Sequence, residues 1–121
     1  MIFVSNVQRI RDFYRAVVTM DLAEDQPNYA ILTIPGFELV IHGIPGESDS
    51  SFTSNDPREV REECNLKMCL PVKCIREARA RAVELSGFIK AEEYEWSARS
   101  VKACDGYDPE GNVFQVRAAL P

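Results

Sequence analysis

The feature that most constrains the fold is a strand-to-helix junction that occurs twice along the chain. Val4-Ser5-Asn6-Val7 joins an apolar strand to an amphipathic helix near the start, and Val72-Lys73-Cys74-Ile75 has the same plan in the second half. Apolar stretches typical of strands follow each predicted helix. We interpret the sequence as a tandem duplication of a β-α-β-β-β unit, with each copy taking about half of the chain.

In the first half, Met1–Ser5 is predicted to be a strand and Asn6 the N-cap of the helix after it. Apolar side chains then recur at helical spacing between 7 and 20, on a face formed by Val7, Ile10, Phe13, Tyr14, Val17 and Val18. Two strands, Tyr29–Ile34 and Phe37–Ile44, are predicted on either side of the turn Pro35-Gly36. The first module therefore spans about residues 1–44.

The second half is predicted to begin with a strand over Leu66–Lys73 and a helix over about Cys74–Ser86, with Gly87 as its C-cap. The strands expected after this helix are Phe88–Trp96, Ser100–Cys104 and Val113–Ala119. Between the modules, residues 45–65 are rich in Ser, Asp, Glu and Pro, and predict a surface linker with a short helical turn near Pro57–Glu63. Module 2 covers about residues 66–121, and residues 1–121 form a single domain.

Composition excludes several classes of function. The net charge is −5 and the pI about 4.9 over 121 residues, with no basic face for nucleic acid. No apolar run is long enough to span a bilayer, and the start lacks the basic region of a signal peptide. The four cysteines match none of the usual zinc spacings and are interpreted as small buried side chains in a reducing compartment. We therefore expect a cytoplasmic protein without nucleic-acid or membrane partners.

A family resemblance rests on two short motifs. Asp108-Pro109-Glu110-Gly111-Asn112 predicts a tight turn before the last strand, and Asp12-Phe13-Tyr14-Arg15 lies in the first helix after Val4-Ser5-Asn6. Together they resemble the vicinal oxygen chelate superfamily, which includes glyoxalase I, bleomycin and fosfomycin resistance proteins and extradiol dioxygenases. The resemblance implies an α+β fold in which tandem βαβββ modules form a cup-shaped mixed sheet. It also implies a homodimer, because two chains often share the assembly.

In the metal enzymes of this superfamily, His or Glu ligands come from the first and last strands of the modules. The last-strand position falls here at Gln115, and its first-module equivalent is about Val40. The remaining two positions fall at Lys67 or Met68 and at or before Met1. None of these residues is a usual ligand, although Gln115 offers a neutral carbonyl oxygen. The sequence therefore predicts no metal and no other cofactor.

An alternative is a displaced metal site. Glu38 and His42 lie two residues on either side of Val40, so all three share one face of the predicted strand. A register shifted by two residues would place His42 or Glu38 with Gln115 around a divalent ion such as Zn, Ni, Fe or Mn. His42 is the single histidine of the chain.

Three more residues are candidates for binding a ligand. Arg117 shares a face with Gln115 and suits an anionic group, while Trp96 and Lys67 are expected near the same cup. The leading hypothesis is a protein that binds a small organic molecule in an apolar cup without the usual metal. The alternatives are a metal-dependent lyase, isomerase or dioxygenase with displaced ligands, and a non-catalytic protein-interaction module. Whether the protein is an enzyme stays open.

Overall fold

The protein is described by a computed structural model, which covers residues 1–45 and 59–121. Within these residues, the chain forms two α-helices, nine strands and a short 3-10 helix. In order they are β1 (Ile2–Val4), α1 (Val7–Val17), β2 (Asp21–Gln26), β3 (Tyr29–Ile34), β4 (Phe37–Gly43), β5 (Met68–Pro71), α2 (Ile75–Glu84), β6 (Phe88–Ile89), the 3-10 helix Glu92–Tyr94, β7 (Trp96–Ala98), β8 (Val101–Tyr107) and β9 (Val113–Ala119).

The strands form two mixed sheets with the same topology. The first sheet has the order β1-β4-β3-β2, and the second has the order β5-β9-β8-β6, with β7 also paired to β8. In both sheets the first strand runs parallel to the last strand of its module, and the other pairs are antiparallel. The predicted α+β fold of two βαβββ modules is confirmed. Together, β6 and β7 occupy the place that β2 has in the first sheet.

The structure differs from the predictions at three places. The strand Asp21–Gln26 was not predicted, because its sequence lacks apolar alternation and most of its side chains are exposed at a sheet edge. The single strand predicted over Phe88–Trp96 is interrupted by the 3-10 helix. Residues 59–63 carry no helical turn, and the rest of the turn predicted near Pro57–Glu63 lies outside the described residues.

The helix ends follow the capping rules, with one correction. Asn6 caps α1 as predicted, since its Oδ1 accepts a hydrogen bond from the backbone N–H of Arg9 at 3.0 Å. At the end of α2, however, the left-handed residue is Ser86, with φ 68°, and not Gly87. The backbone N–H of Gly87 donates to the carbonyl of Ala82 at 2.8 Å, which completes a Schellman motif.

Gly87 is required for a different reason, which is the close approach of the first helix. A Cβ at this position would lie 2.2 Å from Cε2 of Phe13 and 2.8 Å from the carbonyl oxygen of Tyr107. Only a residue without a side chain lets the end of α2 pack this tightly on α1. The glycine therefore supports the contact between modules rather than the end of its own helix.

Both helices lie in one core with the two sheets. The apolar residues of α1 and α2 and those of both sheets form a single buried cluster. Phe13 and Tyr14 of α1 each pack edge-on against Phe114 of the second sheet, with ring centroids 5.8 Å apart. The helices thus lie against the inner faces of the sheets, and the opposite face of each sheet, its outer face, points away from the helices. No helix in the described part of the chain is long and apolar enough to cross a membrane.

The turn at residues 108–112 joins the modules through a buried carboxylate. Asp108 is fully buried, and its Oδ2 accepts a hydrogen bond from the hydroxyl of Tyr14 at 2.7 Å. Its Oδ1 accepts from the backbone N–H groups of Glu110 and Asn112, which fixes the turn. Burial raises the pKa of Asp108 despite these hydrogen bonds, and burial and the nearby Asp108 raise the pKa of Tyr14 well above its usual value.

A second carboxylate of the same turn reaches the start of the first helix. Glu110 accepts hydrogen bonds from the backbone N–H of Ser5 at 2.7 Å and of Asn6 at 2.9 Å. Because Glu110 is only 4% exposed, both hydrogen bonds are shielded from water. We call residues 108–112 the inter-module turn, because their side chains attach the second module to the first.

Candidate functional site

The strand register of the second sheet brings together the polar side chains of its outer face. Asp105 of β8 lies opposite Gln115 of β9, which in turn lies opposite Cys69 of β5. Directly opposed residues point to the same side of a sheet. The neighbours of Gln115 in sequence, Phe114 and Val116, are fully buried in the inner core, so Gln115 belongs to the outer face.

A continuous polar network links four residues across this face. Nζ of Lys67 lies 3.2 Å from Oδ2 of Asp105, whose Oδ1 accepts from the amide nitrogen of Gln115 at 3.1 Å. The amide oxygen of Gln115 accepts a hydrogen bond from Nε of Arg117 at 2.7 Å. Three predicted site residues, Lys67, Gln115 and Arg117, are therefore brought together, and Asp105 orients the amide between them.

A pocket of about 250 Å³ opens beside this network. Its walls are formed by Val60, Glu62, Lys67, Phe88, Lys90, Asp105, Gly106, Tyr107 and Val113. The rings of Phe88 and Tyr107 lie side by side with centroids 5.4 Å apart. The sequence predictions did not include Phe88 and Lys90. Strand alternation could have placed both on the outer face, because they lie on either side of the buried Ile89.

Trp96 also lies on this face, further along the sheet. It pairs with Ala103 of β8, which pairs with Arg117 of β9, so the three residues form one row. The indole is 43% exposed. The strand register therefore places Trp96 on the same face as Arg117, and Trp96 is not among the residues that line the pocket.

The outer face of the first sheet has a different character. His42 lies between Phe3 and Tyr29 in one row, with the Tyr29 ring stacked at 6.3 Å and the Phe3 ring edge-on at 5.7 Å. Nδ1 of His42 is 2.7 Å from the carbonyl oxygen of Gly43, which can only accept. The proton therefore belongs on Nδ1 and leaves Nε2 as an acceptor when the ring is neutral.

Glu38 lies at the opposite end of β4 and lines a groove of about 400 Å³ at the junction of the modules. The groove is larger than the pocket of the second sheet and is mostly apolar. Arg61, which also lines it, is engaged by hydrogen bonds to the carbonyl of Glu110 and the side chain of Asn112. Because the groove has few free polar groups that converge, the smaller pocket is the better candidate for a specific ligand.

The two outer faces do not meet within one chain. Across the described residues, no hydrogen bond, ion pair or ring contact joins the side chains of one outer face to those of the other. Within one chain, His42 and Glu38 therefore make no such contact with Gln115. In the register of the two sheets, Val40 and not His42 or Glu38 is the counterpart of Gln115, because Ile2 pairs with Ile41 as Leu70 pairs with Val116.

Comparisons with known proteins give a match in structure only. No protein-family model matches the sequence, and no curated protein matches it. A glyoxalase/bleomycin resistance protein/dioxygenase family enzyme from Burkholderia phytofirmans PsJN matches with a TM-score of 0.70 and 14% identity, over 98% of this chain and 94% of that one. A glyoxalase/bleomycin resistance protein from Albidiferax ferrireducens T118 matches with a TM-score of 0.68 and 12% identity, over 98% and 93%.

A third match is a variant of the fosfomycin resistance protein FosX from Listeria monocytogenes, complexed with Mn(II) and 1S,2S-dihydroxypropylphosphonic acid. Its TM-score is 0.66 at 12% identity, and the match covers 98% of this chain and 86% of that one. The chain has the glyoxalase/bleomycin resistance/dioxygenase fold. The resemblance to the vicinal oxygen chelate superfamily is thereby confirmed for the fold.

The residues of this glyoxalase-like chain do not fit a metal at the position the family uses. Within residues 1–45 and 59–121, no three His, Cys, Asp or Glu side chains are grouped so that they could hold a metal ion. At Gln115, the amide oxygen that would bind the metal already accepts a hydrogen bond from a guanidinium. A second cation at this atom would be repelled by Arg117.

Proposed function

We propose that the protein binds a small organic molecule on the outer face of its second sheet, without the metal of the metal-dependent superfamily members. One observation carries the proposal: Gln115 is held between Asp105 and Arg117 by hydrogen bonds at both ends of its amide. An amide fixed in this way presents a polar network for hydrogen bonding rather than a ligand for a cation. The proposal concerns binding and assigns no turnover.

The charge of this face suggests that the ligand carries an anionic or strongly polar oxygen. Lys67, Lys90 and Arg117 provide three cations on or beside it, against the two carboxylates of Asp105 and Glu62. Arg117 is exposed, so its remaining N–H groups are accessible to a ligand. Guanidinium and ammonium groups form their strongest hydrogen bonds with carboxylates and phosphates.

We further propose that the protein acts as a homodimer in which a second copy completes the site. Both β1 and β5 lie at an open edge of their sheet, and Met1, Phe3 and Leu66 at or near these edges are 70%, 54% and 85% exposed. Open edges with apolar side chains favour pairing with another chain. A two-fold pairing of β1 with the partner's β5 would set the aromatic row of one copy against the polar network of the other.

A cytoplasmic location is part of the same proposal. Cys64, Cys69, Cys74 and Cys104 are all free thiols. The prediction that all four are buried is wrong, because only Cys104 is buried and Cys64 and Cys69 are exposed. Exposed thiols persist in the reduced form mainly in a reducing compartment. Mass spectrometry of the protein after alkylation in intact cells measures their state. Extensive disulfide formation in the cell would contradict the proposed location.

Elemental analysis tests the absence of a metal site. The protein is purified without chelators, and Ni, Zn, Fe and Mn are measured per chain. We expect less than stoichiometric amounts of each, because the donor set at Gln115 does not fit a divalent ion. One equivalent of any of these metals, lost in the variant Gln115→Ala, would overturn the proposal.

A ligand screen by thermal shift tests binding directly. Small organic acids, alcohols and amides are screened against the protein and two variants, Arg117→Ala and Arg76→Ala. The control Arg76 is exposed on α2, away from the outer face. We expect a ligand that stabilises the parent protein and the Arg76→Ala variant but not Arg117→Ala. A screen in which nothing stabilises the protein would favour a protein-interaction module instead.

Light scattering tests the proposed homodimer. A mass near that of one chain would contradict it.

A further inference from the structure

We infer that the pocket beside the polar network binds a carboxylate that carries one aromatic ring. This inference rests on the proposed small-molecule binding and names the class of ligand. It depends on the pocket walls formed by Phe88, Tyr107, Lys67 and Lys90, and it does not require the second copy of the chain.

The apolar part of the pocket is an exposed aromatic pair. Phe88 is 39% exposed although it is a large apolar side chain, and it faces the pocket next to Tyr107. Their ring planes are tilted by 32° with centroids 5.4 Å apart, so together they form one continuous aromatic wall. A planar ring is the group that gains most from such a wall, through stacking and burial of apolar area.

The polar part of the pocket offers an anion a partner at Lys90. Asp105 is paired with Lys67 and accepts a hydrogen bond from Gln115, so Asp105 and Lys67 largely neutralise each other. Lys90 has no ion pair among the residues that the structure describes. An ammonium group without a partner beside an aromatic wall selects an anion over a cation or a neutral group. Glu62, exposed in the pocket wall, opposes this preference.

The size of the pocket suits a ligand with one ring. An apolar cavity of roughly 150 Å³ holds benzene in other proteins. The pocket here has a volume of about 250 Å³, which admits one ring and a short acidic substituent. Phenylacetate and benzoate are therefore suitable probes.

The test is a titration of the protein with phenylacetate, followed by two-dimensional amide NMR. We expect saturable shifts at residues 88–90 and 105–107, with a Kd of about a millimolar for a ligand of this size. Acetate lacks the ring and benzylamine has the opposite charge, so both should bind at least about tenfold more weakly. Raising the salt concentration should weaken the binding of phenylacetate.

Three variants assign the binding to this pocket. Lys90→Met should weaken phenylacetate binding by about fivefold, and Glu62→Gln should strengthen it by about twofold, because one removes an attraction and the other a repulsion. The matched control is Lys73→Met, since Lys73 is also exposed and lies outside this pocket. All three substitutions are at exposed positions, and the amide spectrum of each variant shows whether it is folded.

The inference is overturned if benzylamine binds as well as phenylacetate, or if Lys90→Met binds phenylacetate like the parent protein. That result would leave the proposed function intact when the wider screen still gives a ligand that depends on Arg117. If neither phenylacetate nor any screened molecule binds, the proposed function fails as well. The wider screen therefore distinguishes a failure of this inference from a failure of the proposed function: only in the first case does a ligand bind the parent protein and not the Arg117→Ala variant.

Discussion

The two outer faces have equivalent positions with opposite chemistry. The shared register makes Val40 the counterpart of Gln115 and His42 the counterpart of Arg117. The first sheet thus has an apolar residue and an aromatic row at the positions where the second has an amide and a guanidinium. Asp21, Glu24 and Glu38 share the outer face of the first sheet by their register, and no lysine or arginine lies on its strands there.

The inner faces, by contrast, remain alike. Ile41 and Val116 are both fully buried at equivalent positions, and both helices end on the same backbone motif. The two modules are therefore alike at these inner positions. This contrast indicates that the fold depends on the inner faces and that specificity depends on the outer faces.

The two hairpin turns before the last strands also differ. Pro35 and Gly36 of the first module are exposed, whereas residues 108–111 of the second are buried. Asp108 and Glu110 contact the first module, and Gly111 lies against Glu59 and Val60. The inter-module turn that marks the family resemblance consequently acts on stability.

The largest effect is expected for Glu110→Ala. This change leaves the backbone N–H groups of Ser5 and Asn6 without an acceptor in a site shielded from water. The free energy of unfolding should fall by about 2–4 kcal/mol. Urea denaturation followed by circular dichroism measures it. Glu110→Gln retains an acceptor and should lose about half as much, while a loss below about 1 kcal/mol in Glu110→Ala would contradict the role of the turn.

The next prediction exchanges the counterparts Val40 and Gln115. The Gln115→Val variant places valine in both sheets, and the Val40→Gln variant places glutamine in both. Gln115→Val removes the hydrogen bonds to Asp105 and Arg117, so we expect a loss of about 1–2 kcal/mol in stability. Thermal stabilisation by any ligand of the screen should disappear as well. Val40→Gln is at a half-buried outer position and should change stability by less than about 0.5 kcal/mol. Equal effects of the two exchanges would contradict the asymmetry.

Glu95 should contribute a stability that depends on pH and is confined to the second module. Burial tends to raise its pKa, but hydrogen bonds from Arg79 at 2.6 Å and Lys102 at 3.0 Å outweigh burial and lower the pKa below 4.5. Protons therefore bind less readily to the folded than to the unfolded chain. The contribution is complete above about pH 4.5 and is lost as the pH falls through the lowered pKa.

Denaturation of the parent protein and of Glu95→Gln between pH 7 and pH 3 tests this contribution. At pH 7 the variant should be less stable by about 1 kcal/mol, because Arg79 and Lys102 lose their charged partner. The difference should shrink as the pH falls toward 3. If the difference in the free energy of unfolding between the two proteins stayed constant from pH 7 to pH 3, the charge of the Glu95 carboxylate would not contribute to stability.

The sequence predicts what depends on local rules. The cap at Asn6 and the shared face of Gln115 and Arg117 follow from capping and from strand alternation. The contact of Glu110 with Ser5 does not, because it joins residues 105 positions apart through the packing of the helices. The orientation of the Gln115 amide depends on Asp105, which the β8–β9 register places opposite it. The exposed strand Asp21–Gln26 was missed because the sheet, and not its own sequence, determines its conformation.

The smallest effect is expected at the helix ends, where the two modules should behave alike. Thr19 follows α1 with φ 58°, and Ser86 follows α2 with φ 68°, both in the left-handed region that favours glycine. Thr19→Gly removes the strain of a β-branched residue and should raise the free energy of unfolding by about 0.5–1 kcal/mol, although the added freedom of the unfolded chain reduces the gain. Ser86→Gly should give a smaller gain. Gly36→Ala, at φ 80° with open space around it, is the control and should destabilise. A lower denaturation midpoint for Thr19→Gly would show that the side chain of Thr19, whose hydroxyl lies 3.4 Å from Nη1 of Arg81, contributes more than its backbone strain costs.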